Sequence, residues 1–561
     1  MFANILIILF LKVSIKYFIQ FLYKNIVLCQ YSLSIYLFPL FECNKIKLRY
    51  LLSEKFIQFT MGFLKKKIAQ GWASMHIKNE NKWINNPVKV QNYWFQKLIR
   101  ESQHTNFGND FSFAQIQSIS DFQNQVPVQN YESLKPYIEK IKSGHTNILW
   151  PKKPLYFAKT SGTTSGTKYI PISKESMPFH IEGAKSALLH YIYRKRNPNF
   201  INGKMIFLQG SPVLENNHGI MTGRLSGISA HFVPKYLQYN RMPSWKTNCI
   251  EDWETKVDKI VEETISQNMT LISGIPPWLV MYFEKLIVKS GKSVGDIFPN
   301  LQVLVTGGVS YKPYEEKIYE LIGRKLDIIQ TYPASEGFIA FQEDVDSDGL
   351  LLMLNHGIFY EFIPTEELGK SNPKRLTLEQ VELDTDYAII LTTNAGLWAY
   401  EIGDTVRFIS KNPYKIIVTG RTKHFTSAFG EHVISFEVEE SIKETMESTG
   451  CIVQEFTLAP QVNPLEGLPY HEWFIEFEKP PVSISEFEFI LDNALRKRNT
   501  YYNDLISGAI LRPLKVSMIK KNGFNDYMKE IGKLGGQNKL PRLSNDRAIA
   551  DRLEKYVLKT L

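Results

Sequence analysis

Cysteine is scarce: four residues in 561, with no CxxC pair among them. Those spacings fit neither a zinc site nor a disulfide framework and point to a reducing, cytoplasmic setting. Long Lys/Arg runs interleaved with aromatics are also missing. Although the chain carries a net charge of +9, no nucleic-acid partner is therefore expected. The spacing of a Walker A loop is absent, as are a serine elbow and a paired Cys/His nucleophile. Neither internal repeats nor low-complexity tracts occur. The remainder, 44% apolar and 22% charged, is the composition of a globular protein. A length of 561 residues exceeds what one hydrophobic core usually supports, so two or more domains are expected.

Residues 1–60 stand apart. They are rich in Ile, Leu, Phe and Tyr, and they carry seven Lys/Arg against two Glu. Ile5–Leu11 is continuously apolar, but Lys12, Lys16 and Lys24 break up the stretch beyond it, and a membrane span needs about 20 largely apolar residues. A signal peptide would place its charges before the apolar run. Three readings compete: a membrane anchor, an amphipathic extension, and a start codon assigned too far upstream. The last is favoured because Met61 opens MGFLKKKIAQGW, a plausible natural start. A membrane is a partner only if residues 1–60 are genuine.

Further along, Val90–Glu101 has apolar residues at helical spacing. Met205–Leu208, Leu271–Ile272, Leu301–Val305 and Ile328–Thr331 read as buried strands, with helical patterns at Trp253–Ser266, Pro277–Lys289 and Pro313–Ile322. This alternation predicts an α/β large lobe with mostly parallel sheets and flanking helices. From about Gly430 the chain becomes a compact α+β unit, with helices over Val433–Thr445, Glu486–Arg498 and Ser544–Leu558 and strands near Ile452–Ala459 and Glu472–Phe477. The expected division is an extension over 1–60, a large domain over 61–422, and a smaller mobile C-terminal domain over 423–561, hinged near Gly420–Lys423.

Several loops could carry chemistry. In Thr160-Ser161-Gly162-Thr163-Thr164-Ser165-Gly166-Thr167-Lys168, glycines admit an anion close to the backbone, hydroxyls donate to phosphate oxygens, and lysine adds charge. By itself it also reads as a flexible surface loop, but the β-like Tyr169–Ile172 run after it favours a shaped hairpin. Thr331-Tyr332-Pro333-Ala334-Ser335-Glu336 comes directly after a buried strand, and ligands of open α/β sheets gather at the carboxyl ends of strands. Glu336 could hold Mg²⁺ against phosphates, since magnesium prefers oxygen ligands plus waters. Gly307-Gly308 sits in a similar strand-end loop that could admit a flat base. Asp404, in Tyr400-Glu401-Ile402-Gly403-Asp404, reads as an acidic residue in a tight turn that could accept both ribose hydroxyls. Arg421 and Lys423 lie at the hinge, and Lys539 lies on a Gly-rich loop that could swing in to neutralise a transferring phosphate.

In this order the motifs resemble the auxin-responsive-promoter family of acyl-acid amido synthetases, within the adenylate-forming superfamily of firefly luciferase. The resemblance runs from about Trp83 to the C-terminus, through FAKTSGTTSGTKYIPIS at 157–173, FPNLQVLVTGGV at 298–309, TYPASEGFIAFQ at 331–342 and YEIGDTVRF at 400–408. It implies an ATP-dependent ligase that activates a carboxylic acid as acyl-AMP and passes the acyl group to an amino acid. An acyl-CoA ligase of the same superfamily and a non-catalytic nucleotide-binding relative are the alternatives. By the resemblance, Thr160, Ser161, Gly162, Thr163 and Thr164 grip ATP phosphates, and Tyr332 lies near the adenine; Thr331, Gly307 and Gly308 are counted with them as candidate nucleotide-binding residues. Ser335 belongs to the same motif, Glu336 meets Mg²⁺ and phosphate, and Asp404 takes the ribose. Arg421 and Lys423 serve near the hinge, and Lys539 serves near the α-phosphate. Asn538 stands where many relatives have an aromatic residue. The acyl pocket is placed, from position alone, near Met221–Ile228 or His231–Tyr236. A monomer is the default expectation.

Overall fold

The computed structural model describes residues 42–558, apart from 161–166, 234–237, 309–310, 312–313, 369, 371, 422–424, 427, 432 and 532–539. The hydrophobic segment before residue 42 is thus outside the described residues, as is part of the expected hinge. By chain contacts the protein forms two compact units, Met1–Lys65 and Lys66–Leu561. The described part of the first is helical from Glu42. Among the described residues, no helix is long and apolar enough to cross a membrane.

The second unit is built on an 11-stranded mixed sheet. A small four-stranded sheet stands apart from it and comprises β1 (Tyr156–Thr160), β2 (Lys168–Ile172), β4 (Glu215–Asn217) and β5 (Ile220–Gly223), in the order β2-β1-β5-β4. The large sheet begins with β3 (Lys204–Phe207), β6 (Arg241–Met242), β7 (Met269–Ser273), β8 (Val303–Gly307) and β9 (Asp327–Ala334). These five pair in parallel, in the order β9-β8-β7-β3-β6. Helices at Trp253–Thr264, Pro276–Ser290 and Glu315–Ile322 supply the crossovers that parallel neighbours require. Their apolar stripes and the strands share one core around Ile272, Leu286, Leu304 and Ile318. On the helix Met177–Lys195, a Cβ at Gly183 would lie 2.3 Å from the Phe338 ring, so glycine lets that ring pack against the helix backbone.

The expectation of a mostly parallel sheet is corrected beyond β9. β10 (Gly337–Phe341), β11 (Leu350–Leu352), β12 (Ile358–Pro364), β13 (Asp386–Thr393), β14 (Tyr400–Lys411) and β15 (Tyr414–Arg421) extend the same sheet with antiparallel pairings. The reason is chain economy. A parallel neighbour needs a crossover of a dozen or more residues, usually a helix. Between Ser335 and Ile434 the described residues form no α-helix, so these strands meander through short turns.

The C-terminal lobe carries β16 (Phe425–Thr426) and β17 (Val433–Ile434), then a three-stranded sheet of β18 (Ile452–Gln461), β19 (Tyr470–Lys479) and β20 (Lys515–Ile519). Helices Ser435–Thr449 and Ile484–Arg498 contribute Val438, Ile442, Phe487 and Leu491 to a core shared with Trp473 and Ile475 of β19. Phe474, Phe524 and Leu553 belong to a separate small core. The long helix expected over Ser544–Leu558 is instead one short helix, Ala550–Leu553, and a 3₁₀ turn, Glu554–Tyr556. Ser544 and Asp546 hydrogen-bond locally there, as such residues do in place of helix.

Candidate active site

A cavity of about 1930 Å³ opens at the carboxyl ends of β8 and β9 and is walled on another side by the C-terminal lobe. The described residues of the sequence motifs converge on it, except Arg421, which is not among its lining residues. Thr160 and Lys168 come from the β1–β2 hairpin, Thr306, Gly307 and Gly308 from the end of β8, and Thr331 and Tyr332 from β9. Ser335 and Glu336 form the two-residue turn between β9 and β10, where Ala334 pairs with Gly337. Asp404 also lines the cavity. Ser161, Gly162, Thr163, Thr164, Lys423 and Lys539 lie outside the described residues. Arg421 ends β15 in register with Asp404.

Asp404 is not in a tight turn, as the sequence suggested. It sits inside β14, where the ladder to β15 shifts register just beyond it, between Thr405 and Val406, and Gly403 adopts φ +90°. Such an irregularity bends a strand and re-aims its side chains. The bend is anchored from outside the sheet: Gln129 N–H donates to the Ala399 carbonyl at 2.9 Å, and Glu401 N–H donates to the Gln129 carbonyl at 2.9 Å. The Asp404 carboxylate then accepts the Tyr332 hydroxyl at 2.5 Å.

The β8–β9 end is close-packed. Thr331 Oγ1 donates to the Thr306 carbonyl at 3.0 Å. A Cβ at Gly307 would lie 2.4 Å from Thr331 Oγ1 and 2.5 Å from the Thr331 carbonyl oxygen. Gly308 has φ +83°, a left-handed conformation suited to glycine. Here the motif's glycines are required by backbone approach.

Other wall residues were not singled out as site residues. Lys256, on the Trp253–Thr264 helix, is buried and donates to the carbonyls of Gln209 at 2.9 Å and Asn248 at 2.8 Å. Burial pulls its ammonium down to about 8. Lys159 pairs with Glu215 at 2.5 Å. Arg224 lies within the segment proposed for the acyl pocket, and it meets Asp504 of the C-terminal lobe. An apolar stretch formed by Val213, Leu225, Ile275 and Trp278 lines the same cavity. Among the described residues, no cluster of three or more His, Cys, Asp or Glu side chains could hold a metal ion.

The described wall offers the Thr160 hydroxyl and the Lys168 ammonium at the hairpin, a strand-held carboxylate able to accept a diol, a turn carboxylate able to face a divalent cation, and apolar side chains able to meet an organic acid. Comparisons with known proteins identify the family. Three family models match in order: the GH3 family N-terminal domain over 76–248, the central domain over 351–421 and the C-terminal domain over 436–548. A jasmonoyl-L-amino acid synthetase of Nicotiana attenuata, JAR4, is 23% identical over 57% of this chain and 66% of its own length. The chain thus spans just under two thirds of that relative. An indole-3-acetic acid-amido synthetase of Arabidopsis thaliana, GH3.3, is 21% identical over 84% of this chain and 92% of its own. Among solved structures, the GH3.15 acyl acid amido synthetase superposes with a TM-score of 0.55 at 15% identity, covering 87% of this chain and 97% of that one. A 2-hydroxyisobutyryl-CoA ligase superposes with 0.52 at 14% identity, covering 84% and 92%.

Proposed function

The chain belongs to the GH3 family, and from that premise we infer that it is an ATP-dependent acyl acid amido synthetase. The observation that carries the reading is convergence: Thr160, Tyr332, Glu336, Asp404 and residues of the C-terminal lobe border one cavity.

In the first half-reaction a carboxylate oxygen of the acid attacks the α-phosphorus of ATP. The bond to the bridging oxygen breaks, and pyrophosphate leaves. In the second, an amino acid nitrogen attacks the acyl carbon and loses a proton to solvent. The acyl–oxygen bond breaks, and AMP leaves. No protein nucleophile is needed. Asp404, fixed by Tyr332, accepts from the ribose hydroxyls. Thr160 with Ser161, Gly162, Thr163 and Thr164 donates to phosphate oxygens, while Gly307, Gly308 and Thr331 shape the adenine slot and Ser335 the turn beside it. Glu336 would hold Mg²⁺, whose charge offsets that of the phosphates. A single turn carboxylate suits magnesium, which takes one or two carboxylates, substrate phosphates and waters. Lys539, Lys423 and Arg421 supply positive charge during the displacement. Mobility of the C-terminal domain exchanges the groups serving the two half-reactions.

Cys249 and Cys451 are free, which supports a reducing, cytoplasmic setting.

The test is a pyrophosphate-release screen over carboxylic acids, with an amino acid mixture or CoA as acceptor and products identified by mass. Amide products are expected. Thioester products only, or no acid-dependent pyrophosphate despite ATP binding, would overturn the reading. Glu336→Ala and Lys539→Ala are each expected to depress pyrophosphate release with the fold intact.

A further inference from the structure

Arg224 directly succeeds β5, which pairs in parallel with β1 through Ala158 and Gly223. It therefore projects beside the hairpin that carries the proposed phosphate loop. Its guanidinium forms an ion pair with Asp504 and lies 4.9 Å from the Tyr501 ring centroid. Tyr501 and Asp504 are one helical turn apart on the helix Thr500–Ser507, so both face the same way. The Tyr501 hydroxyl in turn donates to the Lys159 carbonyl at 3.2 Å, immediately before the loop begins at Thr160. Lys159, Arg224, Tyr501 and Asp504 all border the cavity. The opposite face of this helix is fixed in the C-terminal lobe: Tyr502 donates to Asp492 at 2.5 Å and stacks on His471 at 5.0 Å. On the hinge side the lobes are joined separately, where the Tyr314 hydroxyl donates to the Ala428 carbonyl at 2.9 Å.

We propose that Arg224 is a positioning residue that clamps the C-terminal lobe against the phosphate-loop hairpin through Asp504 and Tyr501. The consequence drawn for catalysis rests on the amide-synthetase reading; the clamp itself does not. The side chains of Arg224 and Asp504 are 38% and 43% exposed, and an ion pair that exposed contributes little to folding stability. A weak contact between two lobes is suited to a different task. It can bias the closed arrangement without locking it, and a few-fold change in its contribution to the equilibrium constant changes the closed-to-open ratio by the same factor. With the lobe clamped, water is kept from the phosphates during activation; with it released, the C-terminal lobe can turn.

The geometry allows a test by charge exchange. An arginine at 504 would sit one turn from Tyr501 and could lie over that ring while pairing with an aspartate at 224. Spin labels attached through non-natural residues at the exposed positions Val288 and Val482 report the distance between lobes in the ligand-free full chain. A narrow distribution is expected for the parent protein, broadening in Arg224→Gln and Asp504→Asn, and narrowing again in the double variant R224D/D504R. Titration with MgATP is expected to show roughly 3- to 10-fold weaker binding in each single variant and recovery in the double. An unchanged distance distribution in Arg224→Gln would overturn the clamp, as would a double variant no better than either single one. If the parent protein does not bind MgATP, the functional reading fails, while the distance measurement still judges the clamp.

Discussion

The Tyr332 hydroxyl donates to the Asp404 carboxylate at 2.5 Å, tying the end of a parallel strand to a bent antiparallel one. Those two strands belong to halves of the sheet built by different rules, and the site lies where they meet. A hydrogen bond to a charged acceptor contributes about 1.5–3 kcal/mol, and here it is spent on aiming Asp404. Tyr332→Phe is therefore expected to raise KM for ATP roughly 10-fold, with kcat and thermal stability changing little. Asp404→Asn should weaken ATP more, since the neutral amide is a poorer acceptor for a diol. Steady-state kinetics at saturating acid and amino acid would check this. A fall in kcat with KM unchanged would contradict the positioning role.

Gly307 gives a sharper steric test. A methyl group there would press on the Thr331 carbonyl, which belongs to the neighbouring strand in the same ladder and cannot rotate away. Gly307→Ala is expected to cost on the order of 1–3 kcal/mol of stability and to reduce ATP affinity at least 10-fold. Thr331→Ala in the same background removes the hydroxyl clash but leaves the carbonyl contact. It should recover only part of the loss, as seen by thermal denaturation and ATP titration.

Much of this was legible in sequence because local chemistry and fold agree there. The apolar runs at 205–208, 301–305 and 328–331 read as buried strands, and the residues after them, Gly307 and Tyr332–Glu336, fall where an α/β sheet collects ligands. The parallel pattern misled beyond Ala334, because strand runs look alike whichever way they pair. The motif brings Asp404 to the cavity, but its local setting is not the tight turn its sequence suggests: Gly403 reads as a turn signal, and only the pairing of β14 with β15 reveals a bent strand. The contact of Arg224 with Tyr501 and Asp504 left no trace, although Arg224 falls in a segment flagged by position, since contact between residues so far apart in the chain depends on how two lobes dock and not on any local pattern.

Arg375 and Glu361 form a buried bidentate pair at 2.6 and 3.0 Å, with side chains 5% and 1% exposed. Arg375 also donates to the Val126 carbonyl at 2.6 Å, and Gln123 donates to Glu361 at 2.8 Å. This holds the segment leading to Gln129, which in turn anchors the start of β14. Removing one partner strands a buried charge, at about 3–5 kcal/mol. Glu361→Gln should therefore lower Tm by several degrees and weaken ATP binding in step. Replacing both residues with methionine should cost much less stability. A double variant as unstable as the single one would show that shape, not charge compensation, holds this corner.

Acid sensitivity should come from a histidine cluster remote from the proposed chemistry. Burial pulls His180 and His356 down to about 4. His356 stacks on Phe179 at 5.4 Å, and the charged groups acting on it are Glu80, His180, His76 and Lys185. An unfolded histidine titrates near about 6.5, so between that pH and about 4 the unfolded chain binds protons that the native one does not. Their contribution is complete above about 6.5 and is lost on acidification through that window, on the order of 3 kcal/mol for each ring. Glu80 adds a second loss further down. Burial disfavours its charge, but the hydrogen bonds and charges of His190 and His76 outweigh that and hold the carboxyl well below its ordinary value. Its contribution is thus present above an unfolded value of about 4.5 and fades as pH falls below it. Urea denaturation at steps from pH 7.5 to 4.5 should show stability falling with the uptake of about two protons. His356→Gln should reduce that uptake by about one proton, leaving ATP affinity at pH 7.5 unchanged. A slope identical in the parent and His356→Gln would place the acid sensitivity elsewhere.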